Sequence, residues 1–150
     1  MLARMELPVL PPHPGVFISD LQGLAAYLRE RGFKYRWRDH VKILLDIGEA
    51  ILFEISVYWL DDQVRFVAQS ALAVDEARLA EIALALERLN SEIGFPLWRV
   101  VPSLSATYTV TLDHTGALSS RSLEYAIALL RLALVRDQPK LREVHGVHPP

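Results

Sequence analysis

A change of hydrophobic period at Gly32 decides what this chain can build. Before it, Leu21, Leu24, Ala25 and Leu28 recur at the spacing of one helix face, which predicts a helix over about 19–31. Ser19 and Gln22 supply a capping box at its start, and Gly32 is its stop. After Gly32 the period is two: Phe33, Tyr35 and Trp37 alternate with Lys34, Arg36 and Arg38, as in a strand with one aromatic and one basic face. Apolar runs over 41–47, 50–60 and 63–71 follow, joined by Gly48-Glu49 and Asp61-Asp62, and turns this short make the strands an antiparallel meander. Asp75 can cap a second helix reaching about Asn90, stopped by Gly94 and Pro96. Strands over 97–101 and 106–112 and the turn Asp113-His114-Thr115-Gly116 then lead to a third helix over about 120–136, capped by the serines at 119, 120 and 122. The expected class is α+β: a twisted antiparallel sheet flanked by helices, in the order α-β-β-β(β)-α-β-β-α.

A chain of 150 residues fits one domain with one core. The expected organisation is a proline-rich arm over 1–16, a single domain over 17–137 and a tail over 138–150. The arm, with Pro8, Pro11, Pro12 and Pro14, reads as extended, either lying on its own domain or disordered. It lacks the unbroken apolar stretch of a signal peptide, and no apolar run approaches the roughly 20 residues that span a bilayer, so a cytoplasmic location is expected.

The absence of cysteine excludes disulfides, thiolate metal sites and cysteine nucleophiles. His13, His40 and His114 are isolated in sequence, while His145 and His148 are accompanied only by Glu143 in the tail, which reads as solvated rather than metal-binding. Ser70, Ser91, Ser103 and Ser105 lack a nucleophile elbow, and the scattered glycines form no phosphate-binding loop. No catalytic, metal or cofactor-binding residue is therefore assigned, and the expected function is non-enzymatic.

Binding is the remaining reading. A net charge of −2 provides no whole-molecule field, so charge-guided recognition has to be local. Lys34, Arg36 and Arg38, with Lys42 as a further candidate, form a basic stripe suited to an acidic segment of a partner protein. The same stripe also suits nucleic-acid phosphates, the runner-up reading, or simply a solvated strand whose charges discourage unwanted pairing. Tyr58, Trp59 and Trp98 are candidate anchors for a segment that adds main-chain hydrogen bonds at a sheet edge. The third helix carries more leucine than one sheet face needs, and the second has a small-residue stripe. Ala77, Ala80, Leu84, Leu130 and Leu134 are accordingly expected at a homodimer interface.

The element order, with Leu89-Asn90 ending the second helix and Asp113-x-x-Gly116 before the closing apolar helix, resembles the YbjN family over about residues 17–137. The resemblance implies the fold of type III secretion chaperones. It further implies a non-enzymatic, usually dimeric protein of the bacterial cytosol, linked in general terms to stress and regulation, with chaperone-like relatives that wrap an unfolded segment of a client. The proline-rich arm, the basic aromatic strand and the histidine-bearing tail depart from that pattern.

Overall fold

The computed structural model describes residues 7–10, 14–46, 52–94, 96–100 and 103–149. The elements in chain order are β1 (Phe17–Ile18), α1 (Leu21–Glu30), β2 (Lys34–Trp37), β3 (Val41–Asp46), β4 (Leu52–Trp59), β5 (Gln63–Gln69) and β6 (Ala73–Val74). A 3₁₀ turn (Glu76–Arg78) leads into α2 (Leu79–Ile93), followed by β7 (Trp98–Arg99), β8 (Ser105–Thr111), β9 (Leu118–Ser119), α3 (Ser120–Arg142) and β10 (Val147–His148). The Gly48-Glu49 turn and the arm residues Pro11 and Pro12 lie outside the described residues.

Six strands form one antiparallel sheet in the order β2-β3-β4-β5-β8-β7, and β1–β9 and β6–β10 make two small antiparallel pairs. The fold is mixed α+β, as the period analysis expects. Strand alternation sorts the sheet into two faces. One carries Val41, Ile43, Phe53, Ile55, Val57, Val64, Phe66, Ala68 and Ala106, which the ladder registers set side by side and which are all buried. Leu24 and Leu28 of α1, Ile82, Leu86 and Leu89 of α2, and Leu123, Leu129 and Leu130 of α3 join the same core.

The helix ends differ from expectation for local reasons. The cap of α1 is Asp20, whose Oδ1 accepts the Gly23 N–H at 2.7 Å, one residue beyond Ser19. A carboxylate there adds a charge-assisted bond that a hydroxyl lacks. The second helix begins as a 3₁₀ turn and runs to Ile93, with Gly94 at φ 98° donating its N–H to the Asn90 carbonyl.

The larger corrections concern the third helix and the tail. α3 passes through Pro139 and ends at Arg142. A proline inside a helix costs about 3 kcal/mol locally. Beyond it Leu141 is completely buried, and Lys140 Nζ reaches Glu92 at 3.2 Å, which offsets that cost. The tail is docked rather than solvated: β10 pairs with β6, Val147 is buried, and the Asp75 N–H donates to the Gly146 carbonyl at 2.8 Å. His148 Nε2 lies 3.0 Å from Asp75, and His145 Nδ1 lies 3.1 Å from Glu81.

Leu130 and Leu134, expected at a dimer interface, are fully buried inside the single chain. The leucine excess of α3 is consumed internally, because the helix packs against β5, β8, β9 and β10. Pro8 and Leu10 of the arm lie half-buried beside it. Ala77, Ala80 and Leu84 are exposed, Leu84 at 53%.

Candidate binding face

The second face of the sheet is lined by strands and turns. Its rows follow from the registers: Arg36 pairs with Lys42, Lys42 with Ser56, Ser56 with Val67 and Val67 with Thr107. The neighbouring rows are Tyr58–Arg65–Thr109 and Gln69–Ser105–Arg99. Three shallow hollows open on this face. Arg36, Arg38, His40 and Lys42 line one of 300 Å³, and Lys42 and Gln69 help line a second of 260 Å³. Tyr58, Arg65, Gln69, Arg99 and Thr107 line a third of 410 Å³. Lys42 and Gln69 are each shared by two hollows, so together these make a trough across the sheet.

The trough is cationic. Lys34, Arg36, Lys42, Arg65 and Arg99 point to this face by strand parity, and Arg38 stands at its margin. Two carboxylates oppose them: Asp39, which lines the hollow with Arg36 and Arg38, and Glu54, 3.8 Å from Arg36 Nη1 and 3.7 Å from Lys42 Nζ. Exposed pairs of this kind are worth under about 1 kcal/mol each, so a carboxylate or phosphate ligand can displace them. Among the described residues, the side chains of Lys34, Arg38, Arg65 and Arg99 have no ion-pair partner.

Tyr58, 39% exposed, sits among these cations with its ring stacked on His40, centroids 4.8 Å apart and planes 19° apart. His40 Nδ1 lies 2.9 Å from Asp39 Oδ1. Asp39's own backbone N–H, and then the His40 ring, hold that carboxyl below the usual range. The turn between β2 and β3 is thereby braced against β4, and His40 links Tyr58, on which it stacks, to the hollow that it lines with Arg36 and Arg38.

The other candidate anchors go elsewhere. Trp59 turns to the helix side opposite Val64, against the core. Trp98 is 2% exposed and structural. Its indole N–H donates to Asp137 Oδ2 at 2.7 Å, and burial pushes the Asp137 carboxyl up while Trp98, Arg136 and Lys140 oppose the shift. Asn90 clamps the same strand: its Oδ1 accepts the Leu97 and Trp98 N–H groups at 3.1 and 2.7 Å, and its Nδ2 donates to the Trp98 carbonyl at 3.0 Å. Arg136 also pairs with Glu92, joining the C-terminal ends of α2 and α3.

Both sequence signatures thus have structural roles. Asn90 holds β7, and Asp113 Oδ1 accepts from Thr115 N, Thr115 Oγ1 and Ala117 N at 2.8, 2.6 and 3.0 Å, setting the turn that Gly116 completes at φ 76°. Arg65, Arg99 and His40 were not assigned to binding from the sequence. The alternation of β4 and β5 carried the signal for Arg65, since it shares a face with Tyr58 through their pairing.

Among the described residues no group of three or more His, Cys, Asp or Glu side chains gathers as a metal centre, and no helix is long and apolar enough to cross a membrane. Comparison with family models, curated proteins and solved structures finds no match.

Proposed function

We propose that this chain is a non-enzymatic protein-binding module that holds a flexible, acidic segment of a partner protein across the uncovered sheet face. The observation that supports this reading is the trough in which Tyr58 lines one hollow with Arg65 and Arg99 while Arg36 and Lys42 line another. Arginine forks bind carboxylates, and a partly exposed tyrosine supplies rigid apolar area at low entropic cost. In this reading the chain is a YbjN-like protein of the bacterial cytoplasm with the type III secretion chaperone-like fold. The element order and the two turn devices at Asn90 and Asp113 support that assignment. A role in the stress response belongs to the same proposal. The same proposal makes the chain a homodimer through the exposed Ala77, Ala80 and Leu84.

One observation favours a second reading. The sequence separates the aromatics of β2 from its cations, but Tyr58 and His40 stack on the cationic face, where bases of a single strand could stack as well. Fluorescence anisotropy with a labelled Glu/Asp-rich peptide and a labelled single-stranded oligonucleotide separates the two. The proposal expects peptide binding that the double charge reversal Arg65→Glu/Arg99→Glu weakens by at least about tenfold, the equivalent of 1.4 kcal/mol. Tighter binding of the oligonucleotide, with a steep fall in affinity as salt rises, supports the nucleic-acid module instead.

A further inference from the structure

The two edges of the main sheet are finished differently. At the β7 edge the N–H and C=O of Trp98 that a next strand would use are both taken by the Asn90 side chain. Asn90 stands in for a strand there and closes that edge. At the other edge, β2 pairs only with β3. The Arg38 N–H donates to the His40 carbonyl at 3.2 Å, which sets the phase of the hairpin ladder. By antiparallel alternation, the backbone groups of Lys34 and Arg36 then point to β3, and those of Tyr35 and Trp37 point outward. No backbone partner meets Tyr35 or Trp37 on that outer side among the described residues.

From this geometry we infer that the free edge of β2 takes an added strand, and that the strand is a partner segment alternating acidic and apolar residues. The inference rests on the acidic-segment reading above and adds a second contact to it: beyond the trough, at its Arg36 and Arg38 end, the partner chain continues as a strand along β2. Main-chain bonds to Tyr35 and Trp37 supply the docking. Side chains of the added strand alternate between the two faces of β2. On one they meet Lys34, Arg36 and the neighbouring Arg38, and on the other Tyr35 and Trp37, which is 44% exposed. Acidic residues complement the first set and apolar residues the second.

Charge also argues against a second copy of this chain as the occupant. Antiparallel self-pairing of β2 places Arg36 opposite Arg36, or Lys34 opposite Arg36, or Arg36 opposite Arg38, depending on register. Each sets like charges about 5 Å apart across strands, which destabilises pairing. The cations that repel a copy attract an acidic strand.

The test uses three labelled peptides on the full chain: Glu-Val-Glu-Val-Glu-Val flanked by Gly-Ser, the same residues in blocks, and an all-glutamate peptide. Strand addition predicts that the alternating peptide binds at least about tenfold more tightly than the block peptide. It also predicts slowed amide exchange at Tyr35 and Trp37 in the complex. Trp37→Pro removes an outward N–H together with the indole, a change that edge strands tolerate, and it should abolish the preference for alternation. Trp37→Ala, losing the side chain but keeping the N–H, should retain most of it, and thermal melting of both variants verifies folding.

Equal binding of the alternating and block peptides, still lost in Arg65→Glu/Arg99→Glu, overturns the edge inference and leaves the face reading standing. Binding of none of the three peptides overturns both. Protection of the Tyr35 and Trp37 amides by concentration-dependent dimerisation, or by a single-stranded oligonucleotide, also overturns it, in favour of that occupant.

Discussion

Replacing Asp137 by alanine deprives the buried indole N–H of Trp98 of its acceptor, a bond of 2.7 Å between groups that are almost wholly out of water. An orphaned buried donor costs about 1–3 kcal/mol, and the vacated space adds a smaller packing loss. For a chain of this size a loss of about 2 kcal/mol lowers Tm by about 4–8 °C. Asp137→Asn behaves differently, since its amide oxygen can accept the same N–H without burying a charge. Burial raises the Asp137 carboxyl pKa in the folded chain, so its contribution is fullest below the unfolded carboxyl value and is lost as pH rises through the folded one. Asp137→Asn removes that component of the slope and should match or exceed the parent at pH 7. Urea denaturation at several pH values between 4 and 8 measures both effects. If Asp137→Ala proves as stable as the parent at pH 7, the clamp between α3 and β7 does not contribute as described.

The remaining predictions concern the second clamp, the tail and the binding face. Asn90→Ala orphans the Leu97 and Trp98 N–H groups and should cost about 2–4 kcal/mol in urea denaturation; a cost under about 0.5 kcal/mol contradicts the edge-closing role. The hydrogen bond to Asp75 raises the pKa of His148, so its hold on the tail is complete below the unfolded histidine value and is lost as pH rises through the folded one. Amide exchange at Val147 should accordingly quicken between pH 6 and 8 more than intrinsic exchange does, and His148→Gln should flatten that excess. Glu54→Gln releases Arg36 and Lys42 and should raise affinity for an acidic peptide about two- to fivefold in anisotropy, the equivalent of roughly 0.4–1 kcal/mol, whereas unchanged affinity means those cations are not part of the contact.

Local pattern carried much of this architecture. The switch to period two at Gly32 located β2, and the alternation of Phe53, Ile55 and Val57 with Glu54, Ser56 and Tyr58 carries the two faces of β4 that the structure shows. What the pattern could not reveal depends on distant partners. Pro139 reads as a helix stop until Leu141 is seen to be buried and Lys140 to reach Glu92. Leu130 and Leu134 read as surplus until α3 is placed among four strands. Trp98 offers the same side chain to a core or to a partner, and only Asp137, 39 residues further on, decides between them. The trough of the proposal was partly legible in Arg36, Arg38 and Tyr58, but linking them required the stacking of His40, in the turn before β3, on Tyr58 of β4.

The most direct test of the central proposal is an amide chemical-shift titration of the isotopically labelled chain with an acidic peptide. Perturbations should cluster on Arg36, Lys42, Tyr58, Arg65 and Thr107, the rows of the uncovered face, and should extend to Tyr35 and Trp37. Perturbations confined to α2 and α3, or none at millimolar peptide, contradict the account.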